Sequence, residues 1–305
     1  MAGPGYAPPG DPASPRVPAG PEGSPDFRHT LGFTWPERHP WSEVGPEFTA
    51  RWGNADPGDP QPEHMQIFGQ NGSGKTHFLM KLFQERAALR KNRAHVLLFT
   101  KQDDKVVHKL GWPVVSDWKG ITENRCCIYW PRTELLEQAR RDFYERRMAD
   151  VLSRLQVPDS NTSIAADDAG YLDSLPRVRL LRADILREGR SLGLDLTDMR
   201  QRPQGSDRLT SSETHWTAAA KPKDRGDLER WAELFGSRRD WMPVFDSLSD
   251  LNREFILRHN RSARAVITWV DTPLVPVDPD PRPRSAWEIL GLRRPADRPP
   301  RAVKR

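Results

Sequence analysis

The eight residues Gly69-Gln70-Asn71-Gly72-Ser73-Gly74-Lys75-Thr76 constrain this chain more than anything else in it. They match G-x-x-x-x-G-K-[ST] in the context that gives the pattern meaning. The apolar run Met65 to Phe68 precedes them and predicts a strand, and Phe78, Leu79, Leu82 and Phe83 follow at helical spacing. Strand, glycine-rich turn and helix form a cradle in which main-chain N–H groups and a helix N-terminus converge on phosphate oxygens. Lys75 would reach the β- and γ-phosphates and the Thr76 hydroxyl would ligate Mg²⁺, with His77 closing the contacting run in the first turn of the helix. In a chain of 305 residues the four specified positions coincide by chance on the order of once in a hundred sequences. The ligand expected is ATP, with Mg²⁺ beside it.

Short apolar runs alternate with amphipathic stretches through the middle of the chain, the pattern of strands joined by helical crossovers in a mostly parallel sheet. Strands are expected at Met65 to Phe68, His95 to Phe99, Cys127 to Trp130, Thr162 to Ala166 and Leu194 to Met199. Helical stripes follow the loop, run through Leu135, Ala139, Phe143, Val151, Leu152 and Leu155, and pass through Val178, Leu181 and Ile185 between Pro176 and Gly193. Glu254 to Leu257 and Ala265 to Val270 flank the polar His259 to Ser262 and predict a closing hairpin.

Composition marks the ends off from this unit. Residues 1–30 hold eight prolines and five glycines, which predicts a disordered tail over 1–32. From Pro276 on the chain is rich in Pro and Arg, and a basic tail over 276–305 is expected, with a short helix at 285–292 behind the capping-box spacing of Ser285 and Glu288. The ATPase domain is therefore placed at 46–275. The two cysteines, Cys126 and Cys127, are adjacent, a spacing that suits neither a disulfide nor a zinc site. With no apolar run near the roughly 20 residues of a membrane span and no signal-peptide pattern, a cytoplasmic protein is expected. The net charge of +5 is compatible with nucleic-acid contact without deciding it.

A phosphate loop needs a carboxylate at a neighbouring strand end to hold Mg²⁺, and a second group to orient the attacking water. The run Thr162 to Asp168 offers both, Asp167 for the metal and Asp168 for the water; an acidic loop is the competing reading. In chain order the extra strand Cys127 to Trp130 lies between the loop and these acids, as expected of P-loop ATPases that set a catalytic acid beside the metal acid. The fold class is thus α/β, a RecA/ASCE-like P-loop NTPase with a mostly parallel sheet flanked by helices.

Leu186 to Pro203, LREGRSLGLDLTDMRQRP, resembles the helix, strand and T-Q-R-P sensor of FtsK/HerA-type ATPases, and Asp224 to Gly236 is similar to the helix that follows in that family. The resemblance covers roughly residues 46–275. It implies that Gln201 senses the γ-phosphate, that the chain is a homo-oligomer, a hexamer being the family's ring, and that it moves double-stranded DNA in transfer, packaging or processing. Asp168 stands where the family usually has Glu, and Arg200 where it has Thr. Asp195 and Asp198 fall in a strand that should be buried on both faces, where a lone carboxylate is costly; the strand is expected at a sheet edge, or the motif has drifted.

Arg187, Arg190 and Arg202 are candidates for an arginine acting on a neighbour's nucleotide, each weighed against an ordinary solvated face. Arg140-Arg141 and Arg146-Arg147 lie off the apolar stripe of the long helix, as a phosphate-tracking or simply a solvated face. The tryptophans fall mostly in apolar runs and are expected in the core. Two further readings stay open: a nucleotide-binding assembly or scaffold subunit with little turnover, and an ATPase that remodels proteins.

Overall fold

The computed structural model describes residues 33–52, 62–101, 107–202 and 212–275. Both expected tails, including the helix at 285–292, lie outside the described residues, as does Pro203 of the sensor motif.

The strands are β1 (Glu37–Pro40), β2 (Met65–Phe68), β3 (Ala94–Leu98), β4 (Val114–Val115), β5 (Cys126–Tyr129), β6 (Thr162–Ala166), β7 (Leu194–Arg200), β8 (Trp216–Ala220), β9 (Phe255–His259) and β10 (Ala265–Trp269). They form one sheet in the order β1-β10-β9-β8-β2-β7-β6-β3-β5-β4. From β8 to β4 every pairing is parallel. β9 runs against both β8 and β10, so the hairpin read from the sequence is present. The sheet begins ahead of residue 46, because β1 pairs with β10 and Trp41 is fully buried.

Parallel strands covered on both faces must be apolar on both, and alternate residues divide between two layers. Ile67, Leu97, Ala165, Met199, Ala218 and Leu257 face a layer made with Trp41 and Phe48 of α1 (Trp41–Arg51) and with Phe78 to Phe83 of α2 (Lys75–Leu89). On the other face Val96, Leu98, Ile164 and Leu196 pack against α4 (Glu137–Leu155) and α6 (Pro176–Glu188). Phe68, Ala219 and Ile256 continue that face against α7 (Arg225–Leu234) and α8 (Arg238–Asp246). Two short helices, α3 (Trp118–Glu123) and α5 (Ala169–Asp173), complete the set. Among the described residues no helix is long and apolar enough to cross a membrane.

Two expectations change. The stripe of α4 does not begin at Leu135: Leu135 and Ala139 are exposed, and burial starts at Tyr144 and continues through Met148, Val151, Leu152 and Leu155, where α4 meets α6. β7 is neither at an edge nor degenerate. It lies between β2 and β6 in the middle of the sheet with all seven residues buried.

Candidate nucleotide site

The site sits at the carboxyl ends of the parallel strands. Gly69 to Gly74 leave β2 as a turn closed by the Ser73 amide donating to the Gln70 carbonyl at 3.1 Å, and the Phe78 amide then donates to the Gly74 carbonyl at 2.9 Å as α2 begins. Gly72 and Gly74 have φ of +84° and +88°, left-handed values that glycine adopts without the steric cost of a Cβ. A glycine-rich turn running into a helix N-terminus is the backbone arrangement that anion binding requires. Lys75 opens α2 and its Nζ donates to the Gln70 carbonyl at 3.0 Å. Burial pulls the Lys75 ammonium down to about 8, helped by Lys101 and opposed by Asp167 and Asp168. An anion arriving there stabilises the charged form that the surroundings disfavour. Asn71 is exposed at the loop tip, while Thr76 and His77 are half-buried in the first turn of α2. Burial lowers the His77 pKa, as do the cations Arg253, Lys109 and Lys81.

Asp167 and Asp168 follow β6, one strand beyond β7. Asp167 is buried; its amide donates to the Leu98 carbonyl at 3.1 Å, and its carboxylate accepts from Lys101 Nζ at 3.0 Å. Asp168 is half-buried and caps α5, Oδ1 accepting from the Tyr171 amide at 3.0 Å. That cap holds the carboxyl in a fixed orientation and leaves Oδ2 outside the capping bond. The hydroxyl of Thr76 and the carboxylate of Asp167 are hard oxygen donors of the kind that complete a Mg²⁺ shell made mostly of phosphate oxygens and water. The loop, its lysine and these oxygens fit a Mg²⁺-nucleotide.

Gln201 follows directly on β7. The main chain there touches the loop, the Gly69 amide donating to the Arg200 carbonyl at 3.1 Å, while the Gln201 side chain is exposed. Arg200 is buried where the family has threonine, donating to Asp173 Oδ2 at 2.6 Å. Arg182 of α6 bonds Asp173 and Asp198 and donates to the Ala169 carbonyl at 3.2 Å. Both arginines therefore clamp α5, whose first turn Asp168 caps. On the opposite face of β7, Asp195 accepts from Arg86 of α2 at 2.8 Å, from Arg93 and from Ser163 at 2.9 Å. The cost of a buried lone carboxylate does not arise, because each anion in β7 has two guanidinium partners within 4 Å.

The candidate arginines are placed differently. Arg187, beside Asp184 on α6, and Arg190, which donates to His215 Nε2 at 3.1 Å, precede β7 and so stand at the end of the sheet away from the phosphate loop. Arg202 is exposed, with Nε 3.9 Å from Asp227. On α4, Arg141, Arg146 and Arg147 are exposed. Trp130 and Trp231 are buried. The extra strand of the sequence, β5, lies outside β3, and β7 is the strand between loop and acids. Sequence reasoning missed Lys101, although a charged residue just past a buried strand was its signal. It also missed Arg253, for which the turn after α8 gives none.

A phosphate loop after one parallel strand, with paired acids past a strand one removed, defines a P-loop NTPase. No family model and no curated protein matches the sequence. Among solved structures, the genome packaging NTPase B204 from Sulfolobus turreted icosahedral virus 2 in complex with sulfate is similar with a TM-score of 0.52 at 16% identity, over 70% of this chain and 98% of that one. Its complex with AMPPCP has a TM-score of 0.53 at 14% identity over 69% and 98%. B204, the DNA-packaging ATPase from Sulfolobus Turreted Icosahedral Virus, has a TM-score of 0.52 at 15% identity over 71% and 98%. At such identities the likeness bears on the fold alone: the sheet and phosphate loop of this chain are arranged as in those packaging NTPases.

Proposed function

We propose that this chain binds and hydrolyses ATP with Mg²⁺, and that it does so as a homo-oligomeric ring, a hexamer in the family's form, driving double-stranded DNA. The observation that carries the reading is the placement of the phosphate loop and Lys75 after β2 and of Asp167 and Asp168 after β6, at the same end of one parallel sheet. The loop amides and Lys75 hold the β- and γ-phosphates, and Thr76 and Asp167 hold the metal. When bound, Mg²⁺ neutralises charge that builds on the phosphate oxygens. Asp168 takes a proton from the attacking water, and Gln201, at the end of the strand that touches Gly69, responds to the γ-phosphate. The fold shared with proteins described as packaging NTPases supports the DNA part by analogy.

The test is steady-state ATP hydrolysis with and without long double-stranded DNA, with Lys75→Ala as the blank. A Lys75-dependent rate raised several-fold by DNA is expected; a rate indifferent to DNA removes the motor reading in favour of a protein-remodelling ATPase. The scaffold reading has an observation of its own, since Lys101 pairs with Asp167 and Asp168 caps a helix. ATP binding without turnover, with or without DNA, would favour it.

A further inference from the structure

Arg253 stands out on two independent counts. It is a non-glycine residue with φ of +52°, and such residues persist only where their surroundings over-determine them, often at functional sites. Here the surroundings do so. The Arg253 amide donates to the Asp250 carbonyl at 3.2 Å and the Glu254 amide to the Ser249 carbonyl at 3.2 Å. The buried Glu254 carboxylate accepts from the Ser249 amide at 2.8 Å and pairs with Arg38 at 3.3 Å. The second count is where this turn delivers the side chain. A Cβ placed on Gly74 would stand 3.1 Å from Arg253 Cδ and 3.4 Å from its Cβ, so the arginine stem lies along the phosphate loop. Arg253 is exposed, and among the described residues no carboxylate lies within ion-pair distance of it. With Asp250 and Lys221 it walls a cleft whose other side is Gln70, Gly72 and Ser73.

We propose that Arg253 is a nucleotide-binding residue whose guanidinium contacts the α- and β-phosphates of the nucleotide held by its own loop. The inference rests on the ATP-binding reading above and adds the residue that reads the far end of the triphosphate. Sheet order assigns the end. Asp167 and Asp168, the γ-phosphate side, follow β6, whereas Arg253 precedes β9 on the opposite flank of β2, against Gly74 of the loop. A phosphate chain lying across the loop from the acids therefore reaches Arg253 with its α- and β-groups.

The experiment measures dissociation constants for ADP and for the slowly hydrolysed ATPγS by calorimetry, with thermal unfolding of each variant alongside. Arg253→Gly should weaken both nucleotides by a similar factor of about 10 to 100. Its melting temperature should not fall, because glycine suits the left-handed turn. Arg253→Lys should recover part of the affinity. Arg253→Gly binding both nucleotides as tightly as the wild type overturns the inference, and a loss confined to ATPγS overturns its assignment to the α- and β-phosphates. A wild-type protein that binds neither nucleotide overturns the ATP-binding reading itself.

Discussion

Two pairs of aspartates lie close together in the sheet, one just past the end of β6 and one inside β7, and their surroundings differ. Asp167 and Asp168 lie just past the end of β6, where the strand opens toward the loop and a short helix. Asp195 and Asp198 lie inside β7, wholly enclosed. Burial alone would raise the Asp195 pKa, yet Arg86 and Arg93 outweigh it and hold the carboxyl at about 2. In turn burial lowers Arg93 to about 10, against the pull of Asp195. This cluster ties the far end of α2, the phosphate-loop helix, to the strand that passes between loop and acids. The same residue type is thus a brace inside one strand and, just past the end of the next, a carboxylate facing the loop's lysine, and the difference lies in what surrounds it.

That contrast predicts unequal losses of stability. Asp195→Asn leaves two buried guanidiniums short of an anion and should cost about 3–5 kcal/mol, a large share of the roughly 5–15 kcal/mol a domain possesses. Chemical denaturation would read it, and a cost under about 1 kcal/mol would dismiss the brace. Acid should also act on the braced region first. The Leu196 amide of β7 donates to His64 Nδ1 at 3.0 Å, which only a neutral ring can accept, and burial holds His64 at about 4 and His215 at about 3. Both folded values lie below the ordinary 6.5, so the stability they contribute is complete above that pH and is lost as pH falls through 4 and 3. Asp195, depressed from 3.8 to about 2, gives up its share only below about 4. The urea midpoint should therefore drop steadily from pH 7 to 4.5, with a shallower slope in His64→Asn; a flat profile would contradict it. The smallest change in stability is expected for Asp168→Asn, within about 1 kcal/mol, because asparagine caps a helix as well as aspartate does.

Much of this was legible in the chain. β2 and β6 have the bounds expected, and the loop and the acids stand at strand ends as their flanking runs imply. The weakly apolar Ser163, Ala165 and Ala166 still make a central strand, because parallel neighbours on both sides need small residues as readily as large ones. Trp216 to Ala220 was missed for the same reason: three alanines signal little on their own, yet β8 fills the place between β2 and β9. Asp195 misled because its partners are far off in sequence, Arg86 lying 109 positions and Arg93 102 positions before it. No local pattern encodes such a pair. Arg253 is illegible in the same way, since its meaning depends on a turn folding back over Gly74.

The decisive measurement is ATP turnover by Asp168→Asn, with ATP affinity taken on the same preparation. If Asp168 activates water at a working site, affinity stays within about threefold of the wild type while turnover falls about 10²- to 10⁴-fold. Turnover equal to that of the wild type, with Lys75→Ala inactive beside it, would contradict the role given to Asp168 and move the chemistry to another group.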